Sequence, residues 1–455
     1  MLHTLTATLA FTLGTAWAAP VPNATIRGLP TAAVDDQVAV HAVERRGFVR
    51  VPFDYARPSA EKVHIFYRWI PSLTGASAPT LIYINGGPGM AATSIRELDY
   101  DYTAMPADRL TELLRVFNVV LVDQRGTGGQ SFPLVYEAWA RTDLEKVGRY
   151  MNADVLALDH ANVAEKLVRL GLADASHLYV MAHSFGLHVG QSYIRLLAER
   201  RIATAPTGMI LSAGQLADPL WTWTGARPNQ ENFSHEALRY SLREGLEPFN
   251  ALVLRVKAHF AHIGADPELV HFAYADITPG EPDVLYSVVA DFLTLKSKAE
   301  VDDYMMNYSD AYGALNPVLS VQSLNGGRMA GEILRDADRH YPMDSWIIDP
   351  LKAFAMEEKY NARKSDALER LVARGRIVSP RLPTRAQFEA FMSRSKLMFH
   401  WGRKDPITGA EVGRQIVANM LGQGVANRAV FLTSGAHRDI RSIEGVTAIR
   451  GYFGL

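Results

Sequence analysis

The chain of 455 residues is 48% hydrophobic and 21% charged, ordinary globular usage that excludes a disordered, collagenous or coiled-coil protein. Its 47 Lys and Arg against 48 Asp and Glu leave a net charge of −1, so no global field holds a polyanion, and no local basic patch marks a nucleic-acid or acidic-lipid partner. The absence of cysteine excludes disulfides, thiolate zinc sites, iron–sulfur clusters and a cysteine nucleophile.

Residues 1–18 read as a leader. An apolar run over 5–13 ends at Ala16-Trp17-Ala18, a small-x-small cleavage pattern, although the stretch before the run offers His3 and no Lys or Arg. The run is shorter than the roughly 20 apolar residues of a membrane span. The expectation is an exported protein, periplasmic or extracellular, without membrane attachment after processing, and a cytoplasmic one if the leader is not cleaved. Polar and apolar residues then alternate over 46–52 and 62–70, with a turn-rich 55–61 between them, which predicts two paired antiparallel strands. From Thr80 the pattern changes to short continuous apolar runs at 80–84, 116–122, 177–181, 208–211, 396–400 and 428–432, the signature of strands buried on both faces. Helix-period segments lie between them, 151–170 being the clearest, so the sequence predicts an α/β chain with a mostly parallel sheet covered by helices on both faces.

Between 215 and 384 the strand rhythm stops. Helix-like periodicity takes over at 237–244, 249–263, 284–297 and 349–374, and strands resume at Lys396. This predicts a helical cap inserted between two strands. The expected organisation is a leader at 1–18, a first part of the core at 19–214, the cap at 215–384 and a second part of the core at 385–455.

Chemistry belongs at the carboxyl ends of such strands. Ala182-His183-Ser184-Phe185-Gly186 closes one of them as a G-x-S-x-G elbow with alanine in the first glycine's place. A strained strand-to-helix turn needs small residues on either side of its serine, and alanine is small enough. By itself a serine there is more often a helix N-cap. Asn85-Gly86-Gly87-Pro88-Gly89 follows the 80–84 strand and exposes stiff backbone, suited to N–H groups aimed at an oxyanion. The 116–122 strand runs into Asp123-Gln124-Arg125-Gly126-Thr127-Gly128-Gly129-Gln130-Ser131. That spacing is not G-x-G-x-x-G and no P-loop lysine follows, so this turn is read as structural, with Asp123 and Arg125 pairing in the floor of the site.

At these three motifs the sequence resembles the prolyl and tripeptidyl aminopeptidase family of α/β-hydrolases, which typically carries His-Gly-Gly-Pro-Gly, Asp-Gln-Arg-Gly-x-Gly-x-Ser and the serine elbow in that order. Val51-Pro52-Phe53-Asp54-Tyr55-Ala56-Arg57-Pro58 is similar to its early strand-and-turn signature. The resemblance covers roughly 40–214 and 385–455 and leaves the cap aside; Asn85 and Ala182 depart from the usual histidine and glycine. It implies the α/β-hydrolase fold, to which the strand-free 215–384 adds a large helical cap, and in that fold the nucleophile is followed along the chain by an acid and then a histidine. Asp405, after the 396–400 strand, and His437, after the 428–432 strand, fit that order. The long gap between Ser184 and Asp405 again requires an insertion, since one strand–helix unit takes about 30 residues.

The expected mechanism is acyl transfer. Ser184 attacks, His437 moves the proton, Asp405 holds the imidazole, and the N–H of Phe185 with one from Gly86 or Gly87 stabilises the oxyanion. No metal or cofactor is required. His259 and His262 have no third ligand at zinc spacing and are read as surface residues; His183 and His188 are read as structural, and Arg195, Arg200 and Arg201 as favourable charges late on the helix after the elbow. Trp221 and Trp223 are left open between pocket lining and burial. The resemblance implies a serine peptidase of the proline iminopeptidase or tripeptidyl aminopeptidase kind, with cap carboxylates holding a peptide's free α-amino group. Candidates are Glu231, Glu244, Glu247, Asp302, Asp303 and Asp310. The alternative is a carboxylesterase or lipase using the same triad on a small acyl substrate; a ligand-binding protein without turnover is disfavoured by the intact triad. The oligomeric state is left open.

Overall fold

The computed structural model of the chain describes residues 44–58, 61–86, 92, 110–126, 143–214, 216, 227–277, 282–304, 343–349, 352, 370–371, 373–377, 381–405 and 408–455. The leader at 1–18, Gly87, Trp221, Trp223 and Asp310 lie outside them.

Eight strands form one sheet: β1 (Arg45–Pro52), β2 (Lys62–Ile70), β3 (Thr80–Ile84), β4 (Asn118–Val122), β5 (Leu178–His183), β6 (Gly208–Ser212), β7 (Lys396–Gly402) and β8 (Val430–Thr433). The alternating pair at the start folds on itself, Arg45 opposite Trp69 and Pro52 opposite Lys62. β2 is also antiparallel to β4, and every later pairing is parallel, giving the order β1-β2-β4-β3-β5-β6-β7-β8. β3, β4, β5 and β6 are buried at every position. Their unbroken apolar runs follow from that, because helices cover both faces.

One face carries α1 (Thr111–Leu114) and α11 (Ile443–Phe453), whose Leu113, Ile449 and Phe453 meet Tyr83, Met181 and Met398 of the sheet. The other carries α3 (Ala153–Arg169), α4 (Gly186–Ala198), α8 (Arg385–Met392) and α9 (Ala410–Leu421), packed on Ile82, Val180, Leu211 and Phe399. Local signals agree with these helices. The Asn152 side chain accepts from Val155 N at the start of α3, with Asp154 in the first turn and Lys166 and Arg169 in the last, and Thr384 and Gln387 form a capping box before α8. The shorter α2 (Leu144–Tyr150) and α10 (Gln423–Ala429) complete this part.

β6 and β7 are neighbours in the sheet, Gly208 facing Lys396 and Ser212 facing His400. The chain between them leaves the sheet as α5 (Arg227–Arg243), α6 (Phe249–His262), a 3₁₀ stretch at Pro267–Ile277 and α7 (Pro282–Asp291). These close a core of their own around Phe249, Val253, Phe260, Val270, Leu285 and Phe292. No strand occurs between 213 and 395 among the described residues. The buried His271 ties the unit together, bonding to Glu268 at 3.0 Å through Nε2 and accepting from Asp349 N at 3.1 Å through Nδ1.

The reversal of strand order lies at β3, with β4 on one side and β5 on the other, and open α/β sheets place their sites past the strand ends at such a reversal. α4 starts directly after β5 and crosses back close to it. A Cβ on Gly190 of α4 would stand 2.7 Å from the Cβ of Ala182 and 2.6 Å from Leu211 Cδ2. The extra methyl at 182 is therefore accommodated by its absence at 190. Gly190→Ala is expected to destabilise the protein by about 1–3 kcal/mol, as overpacking does. Adding Ala182→Gly should recover part of the loss. Denaturant midpoints of the two single variants and the double variant measure both, and additive effects would refute the contact.

Candidate active site

Ser184 follows β5 with φ 57°, a left-handed conformation that a residue with a Cβ adopts only under constraint. The constraint is visible. Ser184 N donates to Ser212 O at 2.8 Å and Ser184 O accepts from Leu187 N at 2.9 Å, so the serine is bound to the end of β6 and to the first turn of α4. A Cβ on Gly186 would stand 2.4 Å from Ile84 O and 2.8 Å from Asn85 O. Only glycine lets α4 begin that close to the end of β3. Phe185 N lies at the N-terminal end of the 13-residue α4, where N–H groups lack intrahelical acceptors and the dipole is positive.

The two loops that follow β7 and β8 are stitched together, Arg403 N donating to Thr433 O at 2.8 Å and Lys404 N to Gly435 O at 2.9 Å. They carry Asp405 and His437, 32 residues apart in sequence and bonded through His437 Nδ1 and Asp405 Oδ2 at 2.8 Å. His437 Nε2 is 3.0 Å from Ser184 Oγ. A carboxylate only accepts, so Nδ1 carries the proton and Nε2 is left to accept from the serine hydroxyl. Asp405 is fully buried. Thr408 donates to it twice, from N to Oδ1 at 3.0 Å and from Oγ1 to Oδ2, and Asn229 of α5 donates to its main-chain oxygen at 2.9 Å. The side chains of Ser184, Asp405 and His437 thus form one hydrogen-bonded line, an arrangement of hydroxyl, imidazole and buried carboxylate that is chemically able to activate the serine oxygen. The fold is that of the α/β-hydrolases.

No family model matches the chain. The proline iminopeptidase of Aeromonas sobria is 26% identical to it over 191 residues, covering 41% of this chain and 42% of that protein. The chain therefore spans less than half the length of that curated relative. Among solved structures, the esterase RhEst1 from Rhodococcus sp. ECU1013 is 12% identical with a TM-score of 0.37, covering 90% of this chain and 98% of that one. A puromycin hydrolase is 12% identical with a TM-score of 0.35, covering 93% and 41% respectively. The acylaminoacyl peptidase of Pyrococcus horikoshii is 10% identical with a TM-score of 0.32, covering 91% and 40%.

Of the oxyanion candidates, Phe185 and Gly86 flank Ser184, and a Cβ on Gly86 would lie 2.8 Å from Ser184 Cβ. Arg125 is fully buried and forks onto Asp159 of α3 at 2.7 and 2.6 Å, and also donates to Pro52 O, Phe53 O and Tyr150 O. Tyr55 adds a hydroxyl bond to the same carboxylate at 2.8 Å. This strut ties the turn after β4 to the end of β1 and to α3, and its acid is one that the motifs did not single out. In the cap, Glu244 pairs with Arg243, Glu247 with Arg255 and Asp302 with Lys298, while Glu231 and Asp303 are exposed. His259 Nε2 donates to Leu295 O at 2.7 Å.

A polar row beneath the triad escaped the sequence reading. His183, Ser212, His400 and Thr433, at the ends of four adjacent strands, are all buried. They link as His183 Nδ1 to Ser212 Oγ at 3.4 Å, Ser212 Oγ to His400 Nδ1 at 3.1 Å, and His400 Nε2 to Thr433 Oγ1 at 2.8 Å. The His183 ring lies 5.0 Å from that of His437. Burial holds His183 well below the usual histidine range, helped by His437, Arg441 and Arg438, and burial lowers His400 to about 4. Period-2 patterning could have found the row only with the strand register in hand.

These depressed values make stability depend on pH with a definite sign. The folded protein keeps the imidazoles neutral, whereas the unfolded chain takes up a proton near pH 6.5. The contribution of His400 is thus complete above about pH 6.5 and falls away as pH drops toward 4, by about 3 kcal/mol at most. His400→Gln is expected to flatten the slope of unfolding free energy against pH in that window by roughly one proton. Denaturant titrations at half-unit steps measure the slope, and identical slopes would refute the neutral buried imidazole.

Proposed function

We propose that this protein is a serine hydrolase that works through an acyl-enzyme and removes residues from peptide N-termini, in the manner of a proline iminopeptidase or tripeptidyl aminopeptidase. The observation that carries the hydrolase reading is the single imidazole placed between a strained serine and a buried carboxylate. In this reading Ser184 Oγ attacks the acyl carbon as His437 Nε2 takes its proton. His437 returns that proton to the leaving amine, water enters by the same base, and Asp405 stabilises the imidazolium between the steps. The N–H groups of Phe185 and Gly86 then stabilise the developing oxyanion, each worth about 3 kcal/mol in comparable sites, and Gly87, the other candidate, lies outside the described residues. The peptidase part is supported by the three motifs and by the iminopeptidase relative.

A second reading, an esterase or lipase with the same triad, is favoured by the cap itself. Glu244, Glu247 and Asp302 already hold arginine or lysine partners, which leaves fewer carboxylates for a substrate ammonium. The leader-like residues 1–18 support an exported protein in either case.

Ser184→Ala is expected to fold like the wild type and to lose turnover by at least 10³-fold, since removing a nucleophilic serine leaves only binding and oxyanion stabilisation. A fluorophosphonate should label wild type at Ser184, mapped by peptide mass; labelling at another serine would sink the elbow assignment.

Chromogenic substrates separate the two readings. A charge-assisted contact to a free α-ammonium is worth about 1.5–3 kcal/mol, so N-acetylation of an aminoacyl or tripeptidyl substrate should lower kcat/KM by roughly 10- to 150-fold. Equal rates on free and acetylated peptides, with kcat/KM rising from acetyl to hexanoyl esters, would assign the protein to the esterases.

A further inference from the structure

The turn after β4 contains a side chain that acyl transfer as outlined does not use. Gln124 is buried, and its carboxamide nitrogen donates to two successive main-chain oxygens of the adjacent strand end, Asn85 O at 3.3 Å and Gly86 O at 3.0 Å. The sheet explains how it reaches them: Ile84 and Val122 are register partners in parallel strands, so Gln124 leaves β4 beside Asn85 and Gly86 leaving β3. A carboxamide nitrogen has two hydrogens, and both find an acceptor here.

The consequence lies in the geometry of the peptide unit. The chain has no cis peptide among its described residues, and in a trans unit the carbonyl and the N–H point in opposite directions. The oxygen of Asn85 shares its plane with the N–H of Gly86. A donor that holds this oxygen on the Gln124 side therefore turns the Gly86 N–H away from Gln124. On another side of Gly86 stands the nucleophile, since a Cβ added there would lie 3.2 Å from Ser184 Oγ. Rotation of that peptide unit would exchange the N–H for a carbonyl oxygen, which repels an oxyanion where the N–H would stabilise it.

We propose that Gln124 is the positioning residue of the oxyanion site, fixing the peptide plane between Asn85 and Gly86 so that the Gly86 N–H is available to the tetrahedral intermediate formed on Ser184. The assignment rests on the acyl-transfer reading. It predicts an effect on the transition state with little effect on substrate binding.

The test compares wild type, Gln124→Met, which keeps length and loses both donors, and Gln124→Glu, which puts an acceptor against two carbonyls. Fluorophosphonate titration counts competent sites, so that kcat is referred to folded enzyme only. Steady-state kinetics on a chromogenic ester or aminoacyl substrate and the Ki of a boronic acid, whose serine adduct is tetrahedral, are then measured. Gln124→Met is expected to lower kcat per titrated site by about 10- to 100-fold with KM within about threefold, and to weaken the boronic acid by a similar factor; Gln124→Glu should lose more. Wild-type kcat per site in both variants overturns the proposal, as does a loss confined to KM. If one variant does not fold, the other decides by the same criteria. A wild type that takes no label at Ser184 overturns the acyl-transfer reading and this proposal with it, whereas a labelled wild type with unaffected variants overturns this proposal alone.

Discussion

One backbone angle governs the design of this protein. Ser184 sits at φ 57°, and a residue with a side chain adopts the left-handed region at a cost of about 1–3 kcal/mol unless its surroundings leave no alternative. The surroundings come from three strands. β5 delivers the serine, β6 accepts its N–H through Ser212 O, and the end of β3 approaches so closely that Gly186 has no room for a Cβ. The strain is thus held by the parallel register of the sheet, whose central strands β3 to β6 are buried at every position. A looser core would let the turn relax and would withdraw the hydroxyl from His437.

The same register manages buried charge. Asp405 has lost its water, and His437 and both donors of Thr408 replace it, which keeps a buried carboxylate tolerable. Beneath it His183 and His400 are held neutral by burial within a hydrogen-bonded row. A cation at His183, 5.0 Å from His437, would oppose the imidazolium that acyl transfer requires. Arg125 and Asp159 solve a different problem, neutralising each other inside the wall that carries the end of β4. The two arrangements thus differ in kind, one a line of groups that can exchange protons and the other a strut whose guanidinium does not.

Much of this was legible in the sequence because it depends on local pattern. Period-2 alternation gave β1 and β2 to within a residue, and continuous apolar runs gave the six later strands with ends displaced by about two residues at most. Ser184, Asp405 and His437 each stand just past a strand end, and the sheet brings them within hydrogen-bond reach. What was not legible depends on neighbours distant in the chain. Gln124 looked like part of a structural turn, since its two acceptors lie almost 40 residues earlier and become adjacent only through the pairing of β3 with β4. His183 and His400 form a row only once β5, β6 and β7 lie side by side. The carboxylates of the cap offered no spacing to choose among them, and several prove to be occupied by basic neighbours.

The direct pairing of β6 with β7 has a further consequence. Gly208 lies opposite Lys396, and Ala213 N donates to His400 O at 2.8 Å just as the chain departs for the cap. The sheet is thus complete without reference to how long the intervening excursion is, or to what it contains. Closing a loop grows only logarithmically harder with length, about 0.6 kcal/mol for each doubling, so helices can be gained, lost or exchanged there while strand register is kept. With a hydrophobic core of its own, the cap can change in sequence and length without disturbing the strand register that holds Ser184, Asp405 and His437 together.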